Sequence, residues 1–574
     1  MTPLVYSGLG DFFSGNASIY AQNNPLHPTA PMNTGGLGVY AQDEWAIMSR
    51  LKLTFALRAE HNFNPTCDID CFTLPSAPFS QIKTQGVNTP YDQALLTGRK
   101  DAFGSVDSIN FAPRFGFTWS PRADSRTVVS GGFGIFYDAF PAFITDSFVN
   151  LPYLVGVDLF GPDIGGGPVA WGDPAGAATT VTNTVNTIRN GNSALGIPSL
   201  GIPSLANGLT VSQLLAAGGA QPNITGFPTK LRTPQYQEWN FQVQQAIDSR
   251  SKITVAYVGS HGYHEPYPNN TLNATTASVP GFGPQITGYA TTTPDPRFGT
   301  FTEWNSGAVS NNNELTATFT RRLGAGFVLN ANFSWAHTLD EISNGSLLPS
   351  STSAIQGQIN PLSLRANNYG NADYDIRQSF NANYVWTEPF HFQNRAMSGI
   401  LGGWILSENF ITRTGLPYTV TDGTTSITNG GTATPAQLTS LNPQQSCVNG
   451  YSTCFNSADF ASANNLGLFP TQMRNQFRGP GFFDSDFTVG KNFHATERVR
   501  ITVGANIYNI FNHPNFQNPN KNWTPGCSAI PAGSQQASCG NISGQAAPPT
   551  GPYGSFFNGL PAGREGQLQA KIVF

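Results

Sequence analysis

Apolar and polar residues alternate with a period of two along much of the chain, the signature of strands rather than of helices. Val499, Ile501, Val503, Ala505 and Ile507 share one side, and Arg498, Arg500, Thr502, Gly504 and Asn506 the other. Phe327, Leu329, Ala331, Phe333 and Trp335 oppose Val328, Asn330, Asn332 and Ser334 in the same way. Leu51, Leu53, Phe55 and Leu57 oppose Lys52, Thr54 and Arg58, while Trp239, Phe241 and Val243 oppose Glu238, Asn240, Gln242 and Gln244. The pattern predicts about thirteen strands of roughly ten residues, the length that crosses a bilayer at a tilt. They fall at 37–47, 51–61, 110–119, 126–137, 236–247, 252–262, 312–323, 326–337, 376–386, 403–413, 483–493, 498–511 and 567–574. With one face apolar and the other polar, they predict an all-β, antiparallel up-and-down transmembrane barrel wall with a wet interior.

The connections alternate in length. Residues 48–50, 121–125, 248–250, 324–325 and 494–497 read as tight turns, and long Gly/Pro/Asn/Ser/Thr-rich stretches lie between them, the largest at 138–235. Short periplasmic turns and long outer loops are the arrangement of outer-membrane barrels. If the loop before the last strand is external, parity makes the strand at 37–47 run inward and residues 1–36 the remnant of an outer loop. An odd count starting outside then predicts a partial barrel at 37–574 whose front strands are missing, because bacterial barrels have even counts.

Composition sharpens this picture. Only 11% of the 574 residues are charged, against about 25% in typical soluble proteins, and there are 41 phenylalanines. The mean hydropathy of -0.21 fits strands whose two faces average out. No run of about 18 apolar residues exists to form a spanning helix. A net charge of -4 without Lys/Arg clusters excludes nucleic acid as an expected partner. The opening residues carry no basic segment followed by an apolar core, so they are not expected to form a signal peptide.

The stretches GVYAQDEWAIMSRLKLTFALRAEH, NFAPRFGFTWSP, GGFGIFYD, TPQYQEWNFQVQQAI, KITVAYVGSHG, ADYDIRQSFNANYVW and FTVGKNFHATERVRITVGANIYNIFNHPNF, in this order, resemble the barrel of Oar-like TonB-dependent outer-membrane receptors. The resemblance covers residues from about 37 to the end. It implies an outer-membrane location, outer-membrane lipid and the barrel-assembly machinery as partners, and a nutrient-uptake role for an unidentified ligand. It also implies that TonB would act only through a plug and contact segment, neither of which is recognisable here, so the chain alone is expected to be inactive in transport. The terminal run with Leu568, Ala570, Ile572 and Phe574 on one face is similar to the C-terminal signal read by that assembly machinery.

Six cysteines form three local pairs in predicted outer loops, Cys67 with Cys71, Cys447 with Cys454 and Cys527 with Cys539. At an oxidising cell surface they read as disulfides, ahead of free thiols or zinc, because no histidines accompany them. His261, His264 and Glu265 lack the spacing of a helical zinc motif and read as a polar strand end at the outer rim. Asp373 with Asp375, and Asp484 with Asp486, read as paired lumen carboxylates facing arginines of neighbouring strands, ahead of calcium ligands. Gly131, Gly132 and Gly134 precede no helix and so read as close-packing strand glycines rather than a phosphate loop. Trp45, Trp119, Tyr137, Trp335, Trp386 and Trp404 suit aromatic girdles. No nucleophile–base arrangement stands out, so no catalysis and no cofactor or metal is expected. The alternative reading is a secreted or surface all-β adhesive or binding protein, disfavoured by irregular strand spacing.

Overall fold

The computed structural model describes residues 29–139, 208–216, 221–227, 230–277, 292–323, 326–343, 365–388 except 367, 394–422, 434–443, 454–463, 470–494, 499–515, 518–524 except 520, and 563–573, with shorter pieces between. Thirteen long strands make one sheet in chain order. They are β1 (Gly36–Met48), β2 (Leu51–Asn62), β3 (Asn110–Trp119), β4 (Thr127–Tyr137), β5 (Gln235–Ala246), β6 (Ser251–Asn269) and β7 (Phe301–Leu323). The order continues through β8 (Phe327–Asp340), β9 (Gln378–Thr387), β10 (Trp404–Arg413), β11 (Phe482–His494), β12 (Arg500–Tyr508) and β13 (Glu565–Val573). Every wall pairing is antiparallel between sequence neighbours. The architecture is therefore an all-β, up-and-down barrel wall. Among the described residues, β1 and β13 are its two ends and are not paired with each other.

The register keeps one apolar face continuous across all thirteen strands, since directly paired residues point the same way. Phe55 lies opposite Phe115, Phe115 opposite Phe133, and Phe133 opposite Trp239. Further along, Phe333 faces Phe380, Val503 faces Ala570 and Ile501 faces Ile572. Many of these side chains are open to the surroundings; Phe241 is 49% exposed and Val503 48%. Arg58, Gln242, Asn332 and Arg500 fall on the opposite face, as strict alternation requires. All six aromatics read as girdle residues lie on the apolar side, with Trp45 opposite Leu53, Trp386 opposite Phe327 and Trp404 opposite Lys491.

Connections at 49–50, 120–126, 247–250 and 324–326 are short, whereas 63–109, 138–234, 270–300, 341–377, 414–481 and 509–564 are long. One inner connection is not a tight turn: residues 388–403 contain the helix Arg395–Leu401. The Asn394 side chain accepts from the Ala396 backbone N–H at 2.9 Å to start it. At its other end the Lys491 ammonium donates to the carbonyls of Ile400 (2.8 Å) and Gly402 (2.9 Å), where a cation complements exposed carbonyls.

Two sequence expectations need correction. β6 and β7 run past 262 and begin before 312, forming a two-stranded ribbon that rises beyond the wall, whose rim is marked by Tyr137, Gln235 and Tyr263. The ribbon's Trp304-Asn305-Ser306-Gly307 has no period-two pattern to announce it. Antiparallel pairing also holds for the wall but not for every loop, because Ile224–Gly226 runs parallel to the start of β7 and Thr421–Asp422 parallel to Asn522–Trp523.

The buried apolar side chains gather mainly in the outer loops. One cluster joins Phe72, Leu74, Phe103, Phe227 and Trp304, a second Phe79, Tyr91, Ile224, Phe298 and Phe301, and a third Tyr418, Val420, Phe455, Phe460 and Phe477. Each fully buried phenylalanine contributes on the order of 1.5–3 kcal/mol from burial. The loops thus fold into a cap with cores of their own, while the wall turns its apolar residues outward. Met32–Asn33 pairs with Thr66–Cys67 and Met32 packs against the first cluster, while Ile19–Asn24 pairs with Val155–Phe160 in a separate small sheet.

Candidate functional site

On the polar face, just below the rim, side chains from β5 to β9 line a cleft of about 610 Å³. The register builds it in rows. Ser260 of β6 lies opposite Asn312 of β7, and Asn312 opposite Thr338 of β8. In the next rows Glu314 faces Ala336, and Ser334 faces Ser379 of β9. Thr338 donates to the Asn312 side-chain oxygen at 2.6 Å. Tyr236 enters from β5, and Tyr374 and Ile376 from the turn before β9.

Glu265 closes the outer end. The β6 backbone breaks register between Gly262 and Glu265, with His264 in the left-handed region at φ 56. This bulge turns the carboxyl back so that the Ser310 hydroxyl donates to it at 2.6 Å. A Cβ on Gly262 would collide with both groups, so the return requires glycine there. Burial, followed by repulsion from Glu341 and Asp138, outweighs the bond from Ser310 and raises Glu265 to about 7. Burial likewise raises Asp138 and Glu341.

Three arginines clamp the outer loops, two of them, Arg297 and Arg474, almost wholly buried. Arg474 donates to the carbonyls of Asn368 and Asp340, both at 2.7 Å, and pairs with the Asp340 carboxylate. Arg478 pairs with Asp375, which also holds Arg377 at 3.0 Å. Arg297 pairs with Asp295 at 2.8 Å and donates to the carbonyls of Ile82 (2.7 Å) and Pro90 (3.1 Å), tying loop 270–300 to loop 63–109.

Asp373 and Asp375 therefore do not sit on a strand face opposite wall arginines. They lie in the turn before β9, and their partners Arg474 and Arg478 come from the 414–481 loop. Asp484 and Asp486 do lie on the polar face of β11, but their β10 neighbours are Ile411 and Asn409. Among the described residues they form no ion pair; Asp486 accepts from the Asn509 backbone at 3.0 Å. His261 and His264 flank the bulge without forming a metal-holding group among the described residues. Gly131 packs so closely that a Cβ would meet the Phe117 ring at 2.8 Å and the Asn240 carbonyl at 2.9 Å.

Cys67 and Cys71 are disulfide-bonded with Cα atoms 5.8 Å apart, and Cys454 is also disulfide-bonded. Cys447, Cys527, Cys539 and Phe574 lie outside the described residues. Leu568, Ala570 and Ile572 lie on the apolar face of β13, opposite Ala505, Val503 and Ile501.

A family model described as outer membrane beta barrel domain matches residues 2–564. Among solved structures, the FrpB iron transporter from Neisseria meningitidis is similar at 9% identity with a TM-score of 0.39, covering 95% of this chain and 46% of that one. The siderophore receptor PiuA from Acinetobacter baumannii is similar at 9% identity with a TM-score of 0.37, covering 94% of this chain and 43% of that one. The chain thus spans less than half the length of these structures. No curated protein matches it.

Proposed function

We propose, because this chain belongs to the outer membrane beta barrel domain family, that its outer-membrane wall serves nutrient uptake as part of an Oar-like receptor of the TonB-dependent type. The observation that carries this reading is the division of faces. An apolar belt runs across all thirteen strands, a polar face backs it, and long loops fold into a cap at one end. The outer cap and the cleft beneath it are the capture surface. Leu568, Ala570 and Ile572, at the last strand, are the residues offered to the assembly machinery, and bilayer lipid covers the belt.

The 574 residues by themselves do not complete energised uptake in this reading. A spanning sheet cannot leave a row of backbone groups facing hydrocarbon, where each unsatisfied group costs several kcal/mol. Among the described residues β1 and β13 present such rows, so in this reading the wall curls into a smaller, strained closure, leaves an open seam or is completed by further strands, and TonB needs a plug segment to pull. Expression of residues 1–574 behind a signal peptide tests this. Heat-modifiable folding without TonB-dependent growth on scarce nutrients is the expected result, and growth supported by this chain unaided would contradict it.

A further inference from the structure

The cleft lining is one-sided in its chemistry. Its hydrogen-bonding groups are hydroxyls, two carboxamides and two carboxyls, and among the described lining residues there is no lysine, arginine or histidine. Ser260, Glu314, Ser334, Tyr374 and Ser379 make no side-chain hydrogen bond among the described residues, so five elements converge on the cavity with unused donors and acceptors. Tyr374 is half exposed and offers both a ring face and a hydroxyl. The guanidiniums of the adjoining rim are already engaged, Arg365 with Glu341 at 3.3 Å, Arg377 with Asp375 at 3.0 Å, and Arg474 with Asp340.

We infer that this cleft takes an uncharged, polyhydroxylated ligand of oligosaccharide size and rejects anions. The inference rests on the receptor reading above and adds the ligand class. An anion entering here would lose its hydration without meeting a cation, and would lie beside Glu265 and Glu314; burying an unpaired charge is strongly unfavourable. A polyol has the matching inventory, since each hydroxyl both donates and accepts. Free serine hydroxyls also discriminate against purely apolar ligands, which would leave them unpaired. The volume of about 610 Å³ lies within the range of about 300–1,000 Å³ typical of small-molecule sites. The Tyr374 ring supplies the apolar face on which a sugar ring can lie.

The test is a glycan array probed with the full chain folded in detergent, carrying neutral, uronate-bearing and amine-bearing oligosaccharides. The expected result is binding confined to neutral glycans. Ser334→Arg should weaken that binding at least tenfold and introduce binding to uronates, and Tyr374→Ala should weaken it without admitting them. Wild-type preference for uronates or for amine-bearing glycans overturns the inference, as does the absence of any neutral glycan among those bound. Heat-modifiable migration of the same samples separates the two claims. A heat-modifiable wall that binds no neutral glycan defeats the ligand class alone, whereas a wild-type chain without heat-modifiable folding defeats the wall and the inference together.

Discussion

Arg474, in the loop between β10 and β11, holds Asp340, at the outer end of β8, by both its backbone carbonyl at 2.7 Å and its carboxylate. The two are 134 positions apart and almost wholly buried, with side chains 1% and 3% exposed. Burial draws the guanidinium down to about 9, still charged at neutral pH, so the pair is a charged clamp. Its geometry fixes the 414–481 loop beside the cleft.

Removing one partner leaves the other charge buried. Arg474→Ala should destabilise the loop's seat by about 3–5 kcal/mol, seen as faster proteolytic nicking within 414–481 while heat-modifiable migration of the wall is unchanged. Arg474→Met combined with Asp340→Leu should recover much of the protection. Equal nicking in wild type and Arg474→Ala would show that the clamp does not hold the loop.

Much of the wall was legible in the sequence because each strand carries its own signal. Asn110–Trp119 has the bounds that alternation alone predicts, and Phe241 and Gln242 fall on the faces their neighbours assign. The clamp was not legible, since nothing near Asp340 announces an arginine 134 positions later. The cap cores were hidden for the same reason: Phe72, Phe103 and Phe227 meet from three separate loop segments that show no period. The cleft was half legible. Alternation predicts its polar lining, but the return of Glu265 depends on a bulge at Gly262 that sequence pattern does not place.

Glu265 should make the rim sensitive to pH. Its carboxyl is raised to about 7 from an ordinary 4.5 by burial first and then by Glu341 and Asp138. A group held more easily protonated in the folded state contributes stability that is fully present below about pH 4.5 and is lost as pH rises through about 7. Hydrogen exchange of the β6–β7 ribbon should therefore accelerate between pH 5 and pH 8 beyond the intrinsic rate, after correction for it, by an amount equivalent to about 2–3 kcal/mol. Glu265→Gln should flatten that excess. A wild-type ribbon with no pH-dependent excess would refute the assignment.

The outer loops should be oxidised. Peptide mapping without reduction should recover Cys67 linked to Cys71 and show Cys454 in a disulfide, and we expect Cys447 as its partner and Cys527 linked to Cys539. Free thiols at all six positions on surface-exposed protein would contradict this. Reduction should loosen the cap before the wall, because these cysteines lie in loops.

Charge placed on the belt should cost more than charge placed on the polar face. Phe241→Arg should destabilise the folded wall in bilayers by about 2–4 kcal/mol if it lies near the midplane, whereas Gln242→Arg should cost little. Urea titration of the heat-modifiable fraction compares the two, and equal costs would contradict the assignment of faces.

The central claim is that one face of the thirteen-strand wall meets lipid and the other water. Spin labels placed singly at Phe55, Phe241, Phe333, Ile501 and Val503, and at Arg58, Gln242, Asn332 and Arg500, test it directly in reconstituted membranes. The account predicts oxygen-accessible, lipid-exposed labels at the first five positions and labels accessible to a water-soluble relaxation agent at the other four. A one-residue slip in register would exchange the two sets, and water-accessible labels at the first five would contradict the account.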